Sequence, residues 1–354
     1  MEQLANARTF MESNLGELAS FLLKSAGKVN LDLAGLLVLA DLQGVAQWTA
    51  LTGTSAWLDI FIIAPGLHRQ AAAPDLCKGE YPACAAMTTG YVFRVENPAT
   101  VSYLQRVGRP GHLTTLSVWN TAERTGAARR FLSSIYDFEE GRTGPTIAYF
   151  VAVALTMAVL DALILVRDLW GIATIATLML VRFINVAIIR RRSRPGWFGA
   201  PEPGFRSDLL VLLSQDRWIR IQGLTDDVKA VTSGAWFQEC TLLQNVLLTT
   251  ATLLTYFDVV MAANASQTGK LLLVFLLLAN SGLLGLVNYA STSMTVHGRA
   301  VTVSSGPKKY DRRLTLAKEL IKEFGRTDCF VGMGMIQPHQ AKDAKKSYQG
   351  AVTM

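Results

Sequence analysis

Charged side chains inside apolar runs are costly in a bilayer, and those that persist there commonly mark ion or proton pathways. Three such residues stand out in this chain: Asp161, Arg182 and Asp258. Asp41 and Asp59 interrupt a more broken apolar stretch, and Asn185, Gln244, Asn245, Asn280 and Asn288 add polar groups. Carboxylates in series with an arginine suit proton-coupled or anion transport. The competing reading is structural. Arg182 stands close enough to the basic cluster at Arg190 to reach towards the same interface, and Asp258 lies near the end of its run. In a hairpin that turns between Arg167 and Asp168, Asp161 and Arg182 differ in depth by roughly 12 Å at 1.5 Å per residue, too far for direct pairing.

Other constellations carry less. Asp226–Asp227 and Glu139–Glu140 are adjacent carboxylates, and neighbours in a helix do not face one another, so neither doublet makes an acid/base pair. No Gly-x-Ser-x-Gly elbow and no His-Glu-x-x-His occurs. The glycines at 108–111 and 332–334 lack the strand–helix setting of a phosphate loop. Four cysteines and four scattered histidines give no zinc spacing. The sequence therefore offers no catalytic set, no metal site and no cofactor. Cys77 and Cys84 are near enough in sequence for a small disulfide loop, which would suit an oxidising lumen. Asn264-Ala265-Ser266 is a glycosylation sequon, useful only if that turn lies outside.

The elements that must hold these residues are membrane spans. Half of the 354 residues are hydrophobic, with a mean hydropathy of +0.27, and the apolar residues gather into runs. Residues 144–192 read as a transmembrane hairpin, Ile147–Val166 then Leu169–Ile189, each near the roughly 20 residues a spanning helix needs. Residues 237–290 read as a second hairpin, Phe237–Ala263 then Lys270–Tyr289. Residues 31–67 allow a single span near Val45–Leu67 or a re-entrant hairpin broken at Gly53. Gly282 and Gly285 suggest a close helix–helix contact.

Arg190, Arg191, Arg192 and Arg194 follow the first hairpin, and Lys308, Lys309, Arg312, Arg313, Lys318 and Lys322 fill the tail. Cytoplasmic flanks collect such residues, so 193–236 and 291–354 are placed inside and the Asn264 turn outside. The net charge of +7 is then a topology signal, and nucleic acid is excluded as a partner. This orientation puts residues 68–143 inside too, which removes the oxidising compartment from Cys77 and Cys84.

The extramembrane parts read as follows. Residues 1–30 form an amphipathic helix with no signal peptide. Residues 68–143 form a folded segment ending in a helix. Residues 208–213 and 217–223 are two strands joined by Ser214–Asp216, and 294–303 is a further strand able to join them in one sheet. Residues 311–326 form an amphipathic helix before a disordered end.

The phrases RRRSRPGWFGAPEPG, DLLVLLSQDRWIRIQGLTDDVKAVTSGAW and LQGVAQWTALTGTSAWLDIF resemble a group of uncharacterised multi-pass membrane proteins of filamentous fungi. The resemblance covers most of residues 31–305. It implies a fungal membrane protein, no particular activity, and no functional residue to carry over. The expected architecture is an all-α membrane bundle of about five helices, within four to six, plus a small cytoplasmic β element, in the plasma membrane or an endomembrane. The leading expectation for function is a non-enzymatic scaffold or regulator that meets a protein partner on its cytoplasmic face. A transporter or channel using Asp161, Arg182 and Asp258 is the second reading. A membrane-embedded enzyme of lipid or secondary metabolism is the third.

Overall fold

The computed structural model describes residues 34–40, 42–121 and 143–342. The N-terminal helix, Asp41, the helix expected before residue 143 and the C-terminal end lie outside the described residues.

Among the described residues, four helices are long and apolar enough to cross a membrane. They are α3 (Thr143–Val166), α4 (Leu169–Arg192), α6 (Leu242–Ala263) and α7 (Gln267–Ala290). Each hairpin packs mainly on the other, α3 along α7 and α4 along α6. Asp168 caps the start of α4, accepting from the Gly171 amide at 3.0 Å. Thr241 and Gln244 form a capping box at the start of α6, meeting backbone donors that an apolar setting would otherwise leave orphaned.

The expected span near Val45–Leu67 is not a span, so the described residues hold four spanning helices rather than about five. The chain there breaks into short pieces: 3-10 turns at Ala34–Leu39, Trp57–Phe61 and Leu67–Cys77, and the short helix α1 (Gly44–Thr52). The re-entrant alternative broken at Gly53 comes closest. Gly53 ends α1 with φ of 69°, and a Cβ there would lie 2.2 Å from the Thr295 carbonyl oxygen, so only glycine fits. The broken segment sits among the spans. Val38, Ile63 and Leu67 share a core with Val159, Leu178 and Leu276, and Trp48 and Ile62 share another with Tyr149 and Leu284.

The fold is not all-α, and its β element is not small. Among the described residues, seven strands form one mixed sheet in the order β2-β1-β4-β5-β3-β7-β6. They are β1 (Ala83–Ala86), β2 (Val92–Arg94), β3 (His112–Asn120), β4 (Arg206–Leu213), β5 (Arg217–Leu224), β6 (Ser293–Val296) and β7 (Arg299–Lys309). β3 runs parallel to β5 and antiparallel to β7, and the other pairs are antiparallel. The expected strand pair around Ser214–Asp216 is present, with Leu213 opposite Arg217. The expected strand 294–303 is instead a hairpin. His297 and Gly298, at φ of 50° and 72°, turn β6 back onto β7, as a two-residue turn with both central residues left-handed requires.

Both faces of the sheet are covered at Leu209–Leu213, which is why that part of β4 reads as the continuous apolar run LLVLL. Leu209, Val211, Ile219 and Ile221 face a core shared with α1, α2 (Pro98–Val107) and α5 (Thr225–Thr232). Leu210 and Trp218 face the opposite way, under α8 (Arg313–Phe324) and the short α9 (Asp328–Gly332). The strands come from all three extramembrane segments, and an even number of crossings separates them, so one sheet on one side of the bundle is consistent with four spans.

Candidate functional site

A non-helical backbone at membrane depth is tolerated only where protein groups satisfy it. The broken segment meets that demand through side chains of the spans. Arg182, fully buried, donates from Nε to the Asp59 carbonyl at 3.1 Å and from Nη1 to Gln70 Oε1 at 2.6 Å. Its Nη2 meets no protein acceptor. Asn280 donates to the Ile63 carbonyl at 3.0 Å and to Thr156 Oγ1 at 3.1 Å. Asn288 donates to the Gly44 carbonyl at 2.8 Å. From the sheet side, Arg190 donates to the Ser55 carbonyl at 2.8 Å and Trp236 to the Gly53 carbonyl at 2.7 Å. The Arg190 guanidinium also lies 4.9 Å from the Trp57 ring centroid.

Around Asp59 the network is dense. Its Oδ1 accepts from the Tyr149 hydroxyl at 2.7 Å and from Trp48 Nε1 at 3.3 Å, and its Oδ2 accepts from the Ala56 amide at 2.9 Å. Gln70 Nε2 donates to Thr49 Oγ1 at 3.2 Å and to Ser55 Oγ. Arg182 thus holds the backbone of the Asp59 turn, while Asp59 itself is held by α1 and α3. Such groups fix a unique arrangement of an irregular segment. Most of their polar atoms are bonded to protein atoms.

The three transport candidates do not meet in this network. Asp161 is exposed on the flank of α3. Arg182 spends its bonds on Asp59 and Gln70. Asp258 is fully buried in α6, with no hydrogen-bond partner on either carboxylate oxygen. Asn264 lies in the short turn between α6 and α7 with its Nδ2 on the Val260 carbonyl, and Ser266 Oγ is engaged by Asp168 and the Gly269 amide. Gly282 and Gly285 make no close helix contact: a Cβ at either would meet nothing within 4 Å. Cys77 and Cys84 are both free and buried in the inner core of the sheet. No group of three or more His, Cys, Asp or Glu able to hold a metal occurs among the described residues.

A second site lies outside the membrane region. The outer face of the sheet is divided. Its apolar half is covered by α8 and α9, and its polar half borders a cavity of about 570 Å³, whose walls include Ser117, Trp119, Arg206, Asp208, Gln222 and Ser304. Alternation brings these together, since Arg206, Asp208 and Gln222 share one face of β4 and β5. Asp208 accepts from Arg220 Nη2 at 2.6 Å and from Gln222 Nε2 at 2.7 Å. Arg220 also reaches Glu323 of α8, Nη1 to Oε2 at 3.0 Å, so an ion-paired row separates the covered half from the open one. Burial works to lower the Arg220 pKa, but the bonds to Asp208 and Glu323 outweigh it and hold the guanidinium above its usual range.

Arg182 and Asp59 stand out in the sequence as charges within apolar stretches, whereas Gln70, Tyr149 and Trp236 do not, because their types are ordinary and their partners are distant in sequence. The groove is not visible in the sequence either, because HLTTLSVWN lacks the clean alternation that marks a strand. Four apolar helices, a broken segment enclosed among them and a seven-stranded sheet define a membrane protein with a substantial extramembrane domain. Comparison with protein-family models, with curated proteins and with solved structures finds no match for the chain.

Proposed function

We propose that this protein is a non-enzymatic scaffold or regulator that acts through its extramembrane sheet, held on the cytoplasmic side. The observation that carries the reading is the open polar half of the outer sheet face, a groove of about 570 Å³ built on strands from three separate chain segments. Concave surfaces with a few convergent polar groups are where proteins take ligands or peptide segments. The intramembrane polar groups favour the same reading, because most of them satisfy the broken segment. The basic flank at Arg190, Arg191, Arg192 and Arg194 supports the orientation.

A second reading, solute or proton transport, is favoured by one observation: the unpartnered carboxyl of Asp258 inside the bundle. Complementation of a chromosomal deletion separates the two. A Ser117→Arg/Ser304→Arg double variant fills the groove from β3 and β7. It is expected to insert at the normal level and fail to complement, while Asp161→Asn and Asp258→Asn complement. The opposite pattern, a working groove-filled variant and a dead Asp258→Asn, replaces the scaffold with the transporter.

A further inference from the structure

The groove on the outer sheet face is long and narrow. It runs from Thr88, just past β1, to Ser304 on β7, with β4, β5 and β3 between them. At about 4.8 Å per strand it crosses roughly 19 Å of sheet. Its volume of about 570 Å³ spread over that length leaves a section of roughly 30 Å². That section suits one extended chain and is too slim for a helix, whose diameter with side chains is about 10–12 Å. At about 3.3 Å per residue, about six extended residues span it.

A segment lying across the strands cannot join their ladder, so side chains must meet its backbone groups. Acceptors for its N–H groups face the groove. Gln222 Nε2 donates to Asp208 at 2.7 Å, which leaves the Gln222 Oε1 to accept. Ser304 Oγ donates to the Thr115 carbonyl at 3.1 Å and keeps its lone pairs for a donor.

The charge in the groove is one-sided. Asp208 has both oxygens occupied, Oδ1 by Arg220 Nε at 2.9 Å and Oδ2 by Arg220 Nη2 and Gln222 Nε2. The acids beyond it are also engaged, Glu323 by Arg220 and Glu202 by Lys229. Arg206 lies two residues before Asp208 on the same face of β4. It is exposed, and its guanidinium meets no hydrogen-bond or ion-pair partner among the described residues. The planar fork of donors on an arginine matches a carboxylate. Arg206 is the cation among the residues that line the groove, so it balances one carboxylate, whereas a phosphate monoester near its full charge would ask for a second cation.

Resting on the reading of the groove as the interaction surface, we propose that its occupant is an extended acidic segment of a partner protein. The segment lies across β4, β5 and β3, with the carboxylate of one Asp or Glu on Arg206 and backbone N–H groups on Gln222 and Ser304.

The full chain in phosphatidylcholine nanodiscs, panned against a displayed library of random heptapeptides, tests this. Recovered heptapeptides are expected to be rich in Asp and Glu, and to be lost with Ser117→Phe, which fills the groove without changing its charge. Arg206→Gln should weaken them about tenfold, the contribution of one charge-assisted hydrogen bond, at an unchanged Tm, because the guanidinium holds nothing in the fold. Arg206→Glu should turn the recovered charge from acidic to basic. Heptapeptides that Ser117→Phe abolishes but that carry no acid, or that bind Arg206→Gln undiminished, overturn the acidic partner and leave the groove as an interaction surface. Tighter binding when phosphoserine replaces the recovered Glu overturns the carboxylate. Recovery of nothing above empty nanodiscs, or only of heptapeptides indifferent to Ser117→Phe, overturns both the acidic partner and the groove.

Discussion

Asp168 and Ser266 tie the far tips of the two membrane hairpins together. Asp168 Oδ2 accepts from the Ser266 amide at 2.8 Å and from its hydroxyl at 2.7 Å, while Oδ1 caps α4. One carboxylate therefore ends one hairpin turn and holds the other. Gly269 belongs to the same joint, since a Cβ there would lie 2.0 Å from Asp168 Oδ2.

Asp168→Ala removes three charge-assisted bonds from a nearly buried carboxylate and should cost about 1.5–3 kcal/mol. The check is a thermal unfolding curve of the purified protein in detergent. Gly269→Ala should cost more in the natural chain than in the Asp168→Ala background, where the opposing oxygen is gone. A double-mutant cycle with no coupling would show that helix packing alone holds the tips.

Arg182 and Asp258 should respond in opposite ways to apolar replacement. Arg182→Met leaves Gln70 Oε1 without this donor and the Asp59 carbonyl with the Ile62 amide alone, and breaking a buried network of this kind costs about 3–5 kcal/mol. Asp258 has no partner to leave behind. Its buried carboxyl is itself a desolvation cost, so Asp258→Leu should keep or raise the unfolding temperature. A drop with Asp258→Leu as large as that with Arg182→Met would mean that Asp258 holds a group essential to the fold.

These contrasts also mark what was legible in the sequence. The spans were, because apolar length alone specifies a crossing helix. Residues 31–67 were not, because short helical pieces with internal Asp and Gln carry no period, and their stability comes from donors such as Arg182 and Asn280 far away in the chain. The strands β4 and β5 were legible as a local pair. β3 was not, since it joins β5 and β7 across two membrane hairpins, and HLTTLSVWN buries residues on both faces without clean alternation. The His297-Gly298 turn was visible as a sequence but passed as part of one strand.

That turn supplies a pH dependence. His297 Nε2 lies 3.1 Å from the Ala235 carbonyl oxygen. Burial pushes its pKa below the usual imidazole range, against the contacts with Ala235 and Ser193 that raise it. The unfolded chain therefore binds a proton more readily than the folded one. Stability contributed by neutral His297 is present above the ordinary value of about 6.5 and is lost as pH falls from there towards the folded pKa. His297→Asn keeps a residue that tolerates positive φ and removes the titration. Denaturation midpoints at several pH values should fall less steeply on acidification in the variant. Parallel curves for the two proteins would remove His297 as the cause.

The cysteines report both redox state and sidedness. Cys77, Cys84 and Cys329 are buried, and Cys240 is partly exposed just before α6. Burial pushes the thiols of Cys84 and Cys329 up, which slows their reaction further because the thiolate is the nucleophile. Unfolding without reductant should release all four thiols, and a count two lower that Cys77→Ser and Cys84→Ser each abolish would establish a Cys77–Cys84 disulfide. In the folded protein one thiol should react quickly with a maleimide, and Cys240→Ser should abolish that reaction. Cys240 lies at the end of α6 that adjoins the sheet, so an impermeant maleimide reads the side on which the sheet stands. The cytoplasmic placement requires labelling in inverted vesicles and none in sealed right-side-out vesicles. Labelling from the outer side would turn the whole chain over and move the Arg190–Arg194 flank, the groove and α8 to the opposite face of the membrane.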